Sequence, residues 1–129
     1  MLHYKAPLRD MRFLINEVLD YPQHYSTLSN GAEATPEMVD AILEGAATLC
    51  EEVLAPLNAS GDKEGCHLAD GVVTTPKGFK EAYAQFVAGG WQGLSFPVEY
   101  GGQGLPMSLN LMKSEMMGAA NWSFNMYPG

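Results

Sequence analysis

Apolar positions recur at the 3.6-residue period in four stretches of the chain, and each stretch predicts a helix. The first stripe is Leu8, Met11, Ile15, Val18 and Leu19, widened by Phe13 and Leu14. Tyr21-Pro22 predicts its end, because the residue before a proline avoids helical backbone angles. The second stripe is the longest: Val39, Ile42, Leu43, Ala46, Leu49, Cys50, Val53 and Leu54 form one continuous face. Thr35-Pro36-Glu37 opens it, with a hydroxyl to cap free N–H groups, a proline suited to the first turn and a carboxylate at the positive helix end. Pro56 predicts its stop. The third stripe starts from a similar Thr75-Pro76 pair. It carries Phe79, Ala82, Tyr83, Phe86 and Val87, and Gly89-Gly90 ends it. The fourth begins near Pro106 and shows Leu109, Met112, Met116 and Ala119 or Ala120, with Gly118 inside.

The segments between are polar or glycine-rich. Residues 20–35 read as a turn-rich connection, residues 58–75 as a loop with an extended piece at Gly71-Val72-Val73-Thr74, and residues 90–106 as a loop of glycines and aromatic rings. The pattern predicts an all-α fold, a bundle of about four main helices with long loops, in one domain over residues 1–129.

Charge narrows the partners. The net charge is −8, and the seven basic residues are scattered rather than striped. That excludes a nucleic-acid partner, which needs clustered Lys and Arg, and discourages anionic membranes. No apolar run approaches the roughly 18 residues of a membrane span. The N-terminus lacks the apolar core of a signal peptide, so the expected location is cytoplasmic. Cys50 and Cys66 are then expected as free thiols.

Candidate chemistry is sparse. Tyr100-Gly101-Gly102-Gln103-Gly104 is the sharpest local feature, and it reads either as a tight turn or as a backbone that approaches another surface closely. It is not a phosphate loop, since no Gly-Lys-Ser/Thr follows. It is not a dinucleotide fingerprint, since the third glycine is missing. Cys66-His67 has no second ligand pair, so no metal site is expected. Glu33, Glu37, Asp40, Glu44, Glu51 and Glu52 read as solvated faces. Glu115 lies within an apolar stretch, at the edge of the packed face or inside a pocket. No complete catalytic constellation is present in this pattern.

Phe96-Pro97-Val98-Glu99-Tyr100-Gly101-Gly102-Gln103-Gly104, reached through Gly90-Trp91 and Gly93-Leu94, resembles the P-E-x-Y-G-G-x-G segment of acyl-CoA dehydrogenases. Lys113-Ser114-Glu115-Met116 resembles that family's S-E-E helix, with Met116 in place of the second Glu. The opening Tyr4-Lys5-Ala6-Pro7-Leu8-Arg9-Asp10-Met11-Arg12-Phe13, Asn16-Glu17-Val18-Leu19 and Thr75-Pro76-Lys77-Gly78-Phe79 resemble a larger subgroup that includes 3-(methylthio)propanoyl-CoA dehydrogenases. The resemblance implies the helical N-terminal domain of such an enzyme, with a subgroup-specific segment over about residues 1–33. It also implies a middle β-domain and a C-terminal helical domain outside this chain.

What the resemblance implies of the whole enzyme is FAD-dependent α,β-dehydrogenation of an acyl-CoA thioester, with an electron acceptor and a homo-oligomeric assembly. The base and most flavin contacts are implied to lie in the other domains. The 129 residues alone would then be inactive and bind no FAD. Their implied share is one wall of the acyl pocket: Tyr100, Gly101, Gly102, Gly104, Met112, Glu115, Met116 and Ala119. The aromatic run from Trp122 to Tyr127 is expected to belong to a sequence that continues. The alternative is a stand-alone helical interaction module without activity.

Overall fold

A computed structural model describes residues 3–128. The first apolar stripe begins as a helix, α1 (Leu8–Phe13), and passes into one wider π-helical turn over Leu14–Val18. There the Leu19 N–H reaches back to the Leu14 carbonyl at 2.8 Å, one residue further than in an α-helix. The added residue rotates the stripe. Met11 and Ile15 are buried, but Phe13, Leu14, Val18 and Leu19 face solvent. The expected burial of Val18 and Leu19 therefore fails.

Tyr21-Pro22 also works differently from the expectation: it starts a helix, α2 (Tyr21–Ser26). Asp20, at φ +46°, turns the chain, and its carboxylate accepts from the Gln23 N–H at 3.4 Å. Pro22 lies in the first turn, where no N–H is needed. The same residue type that ends one helix opens the next. α2 exists to bury Tyr25, whose hydroxyl meets that of Ser108 at 2.7 Å.

Thr35 caps α3 (Pro36–Thr48) as expected, its hydroxyl accepting from the Met38 N–H at 3.2 Å. The helix does not stop at Pro56. A second π-helical turn over Leu49–Leu54 leads directly into α4 (Ala55–Glu64). In an unbroken α-helix the Pro56 ring would press on the carbonyl four residues back. The wider turn places the proline in the first turn of α4, where it is tolerated. One helical column thus runs over residues 36–64, and seven residues expected in a loop are helical. The column buries Val39, Ile42, Leu43, Ala46, Cys50 and Leu54 on one side.

The remaining connection is a short hairpin, β1 (His67–Ala69) and β2 (Val72–Thr74), paired antiparallel with Leu68 opposite Val73. Asp70 and Gly71 form its two-residue turn, both at positive φ. All six strand residues are exposed, so the hairpin adds nothing to the core. α5 (Phe79–Ala88) is capped at Gly78, φ +85°, rather than at Thr75-Pro76, because a left-handed residue reorients the chain immediately before Phe79. Phe79, Ala82 and Phe86 are buried, whereas Tyr83 and Val87 are exposed.

α6 (Met107–Ala120) follows Pro106 as expected, and a last turn, α7 (Trp122–Asn125), folds back from it. Asn121 joins them to the column: its amide donates to the Leu54 carbonyl and its side-chain oxygen accepts from the Phe124 N–H, both at 3.0 Å. Phe124 then fills the space among Phe79, Tyr83, Phe86 and Tyr127. The described residues are mostly helical, in agreement with the predicted fold class.

The N-terminal segment is strapped to the column by charge. Glu51 accepts from Lys5 and, at 2.9 Å, from the Ala6 N–H. Arg12 bonds Asp40 at 2.6 Å and also Glu44. Three carboxylates read as merely solvated are therefore anchors at the surface.

Cys50 and Cys66 are free thiols, the former buried and the latter exposed. Burial, and secondarily the Glu51 charge, pushes the Cys50 thiol from near 9 to about 12, against the opposing influence of Lys113. Between these values the folded chain keeps a proton that the unfolded chain releases, so stability falls as pH rises. The loss is roughly 1.4 kcal/mol per pH unit for this group. The stability advantage of the parent over Cys50→Ala should accordingly shrink from about pH 8 to about pH 11 in urea titrations. A constant difference across that range would contradict the assignment.

Candidate functional site

The glycine-rich loop folds back on itself as two plies. Gly90 turns the chain out of α5, and Trp91–Gly93 and Val98–Tyr100 form single 3-10 turns. The return ply is bonded along the first: Gln103 N–H to the Gly93 carbonyl at 2.8 Å, Gly104 N–H to Phe96 at 2.9 Å, and Leu105 N–H to Leu94 at 2.9 Å. The Gln103 side chain donates to the Gly90 carbonyl at 3.0 Å and closes the base. At Gly102 the plies approach so closely that a Cβ would stand 2.1 Å from the Phe96 carbonyl oxygen. Gly101, at φ +84°, makes the reversal, but a Cβ there meets open space. Of the two readings left open by the sequence, the tight turn therefore holds within the chain itself.

The loop rests on the bundle through Trp91. Its ring lies against Gly45 of α3, where a Cβ would stand 2.9 Å from the indole. Its carbonyl accepts from the Lys113 ammonium at 3.1 Å. Lys113 is only 6% exposed. It stands in the buried stripe of α6, four residues after Leu109 and three before Met116. Its ammonium also lies 5.4 Å from the centre of the Phe86 ring. Among the described residues no carboxylate lies within 4.0 Å of it. Burial holds its pKa below the ordinary lysine range. The sequence places Lys113 among the scattered charges and at the head of the Lys113-Ser114-Glu115-Met116 motif, and neither reading assigns it a role. Its position in an otherwise apolar stripe was the available signal.

The structure distributes the eight expected pocket residues. Tyr100, 80% exposed, and Gly101 border a shallow cleft of about 490 Å³ together with Val87, Phe96 and Gln103. Gly102 and Gly104 are half-buried inside the turn. Met112 and Glu115 border a different cleft of about 410 Å³, between α6 and the N-terminal helix, with Met11, Leu14, Leu19 and Leu111. Met116 is 1% exposed and belongs to the core. Ala119 is exposed near the end of α6. Three of the eight lie along the open face of α6, where Leu111, Met112, Glu115 and Ala119 recur at helical spacing and Trp122 follows, and no residue of this face borders the glycine cleft. Ser108 and Glu115 are the polar members of this face, and Glu115 is exposed at its edge.

Neither cleft suits a flavin dinucleotide. No Lys or Arg lines either one, while Asp10 and Glu115 line the second, so a pyrophosphate would find no cationic partner. Among the described residues no group of three potential metal ligands occurs, and Cys66 lies instead 3.8 Å from the Tyr127 hydroxyl. No helix there is long and apolar enough to cross a membrane.

The domain family described as "Acyl-CoA dehydrogenase, N-terminal domain" matches residues 36–129. Over 125 residues the chain is 41% identical to 3-methylmercaptopropionyl-CoA dehydrogenase of Ruegeria pomeroyi, covering 97% of this chain and 21% of that protein. Over 84 residues it is 32% identical to butyryl-CoA dehydrogenase of Syntrophomonas wolfei, covering 63% of this chain and 14% of that one. The chain thus spans about a fifth or less of the length of these relatives.

The glycine geometry sets an order of mutational cost. Gly101→Ala should cost roughly 1–2 kcal/mol, the strain of a left-handed alanine. Gly102→Ala should cost more, roughly 3 kcal/mol or above, because a backbone oxygen is in the way and cannot rotate aside. Urea unfolding of the two variants checks the order. Equal costs, or a milder Gly102→Ala, would contradict the two-ply arrangement.

Proposed function

The chain belongs to the acyl-CoA dehydrogenase family, and from that premise we propose that residues 1–129 are the N-terminal helical domain of an FAD-dependent enzyme that α,β-dehydrogenates an acyl-CoA thioester. In this reading the flavin and the proton-abstracting base are held by a middle β-domain and a C-terminal helical domain. The lack of any cation along the two clefts that hold the expected wall residues supports placing the flavin's phosphates away from that wall. About residues 1–33 form the subgroup-specific segment. That assignment is supported by a family match beginning at Pro36 and by a 41% identical relative aligned along 97% of the chain.

The domain's own share is to wall the acyl pocket. The observation that carries this is the solvent-facing row of α6, which presents Leu111, Met112 and Ala119 beside Glu115. Exposed apolar side chains at helical spacing are costly on a free surface and ordinary against an acyl chain or a neighbouring domain. The small Ala119 and Gly118 leave room, and Met112 adapts its shape to what it meets. In this reading the glycine segment with Tyr100, Gly101, Gly102 and Gly104 contributes through its own cleft, and Met116 supports α6 from within the core. The substrate is an acyl-CoA, and electrons pass to an acceptor outside this domain. The working protein is a homo-oligomer in the cytoplasm.

A polypeptide of these 129 residues should therefore purify colourless and reduce no electron-acceptor dye with any acyl-CoA. A yellow flavin that co-purifies with it, together with acyl-CoA-dependent dye reduction, would overturn the division of labour.

A further inference from the structure

A buried ammonium without a carboxylate partner is a costly use of a core position. At Lys113 a leucine or methionine would continue the stripe of Leu109, Met116, Met117 and Ala120 without desolvating a charge. Packing alone thus gives no reason for a lysine there. The hydrogen bond it makes does. Its acceptor is the carbonyl of Trp91, the residue that begins the first ply of the glycine segment. On either side of Trp91, the Gly90 and Gly93 carbonyls receive the side-chain and backbone N–H groups of Gln103, which begin the return ply. Trp91 is thus a keystone of both plies. Its ring is set against α3 and its carbonyl is bonded to α6.

We propose that Lys113 is a positioning residue. Its ammonium, rather than its bulk, docks the glycine segment onto the buried side of α6. The tie is geometric, while its consequence for substrate rests on the acyl-wall reading given above. A charged donor to a carbonyl in a dry setting is a strong and directional link. The face of Phe86 steadies the same ammonium from the α5 side.

Lys113→Met keeps most of the volume and removes the charge and the donor. In the 129-residue chain the Trp91 carbonyl ¹³C resonance should shift upfield. The Gln103 and Leu105 amides should exchange roughly tenfold faster, the loss of one charged-donor hydrogen bond. The urea midpoint should stay level or rise, since no ammonium is then buried. In the flavoenzyme carrying this domain the same substitution should raise KM for an acyl-CoA roughly tenfold and change kcat much less.

Unchanged exchange at Gln103 and Leu105 overturns the tie. A Lys113→Met chain that unfolds also overturns it, because the ammonium would then be serving the core rather than the loop. A loosened loop with unaltered KM upholds the tie and refutes the acyl-wall reading instead, so the two failures are distinguishable.

Discussion

One helical column, residues 36–64, carries the rest of the domain, and it exists because a π-helical turn absorbs Pro56. Had the helix stopped there, Leu54 and the Asn121 bond to its carbonyl would lie at a frayed end. α7 would lose its anchor, and Phe124 would lose the neighbours that make it fully buried. Full burial of each large apolar side chain contributes roughly 1.5–3 kcal/mol, so a whole aromatic cluster depends on the column's continuity. The N-terminal helix uses the same column through Arg12 with Asp40 and Glu44, and the strap before it through Glu51. Those surface contacts orient more than they stabilise, since water and salt screen them.

The strongest stripe in the sequence became the central helix, and its Thr35 cap is where the sequence places it. α6 also begins beside its proline. What the sequence hid were the two wide turns. An apolar stripe read at one fixed period cannot register an extra residue. For that reason the stripe alone places Val18 and Leu19 on the packed face, while proline chemistry alone ends the helix at Pro56. Proline carries the same ambiguity at Tyr21-Pro22, because a residue that cannot continue one helix is well suited to begin another. At Thr75-Pro76 a left-handed glycine two residues on took over as cap, a choice that no local hydroxyl pattern reveals.

The candidate site was legible in its parts and not in its assembly. The glycines marked a close approach, and the approach proved to be loop against loop at Gly102 and Phe96. Met112 and Ala119 lie on the open face of α6, while Met116 turns inward, a separation that follows from helical phase once α6 is packed. Charge alone places Lys113 at the surface, whereas its place in the apolar stripe predicts burial. An anomalous residue type at a regular position is thus more informative here than any motif of adjacent residues.

On the proposed reading, the open face of α6 meets the acyl group. Hydrogen–deuterium exchange on an acyl-CoA dehydrogenase that carries these residues, with and without a non-reactive acyl-CoA analogue, reads that contact. Slowed exchange across residues 107–122 is expected on binding. Exchange there that is unchanged by a saturating analogue, with protection confined to other domains, would contradict it.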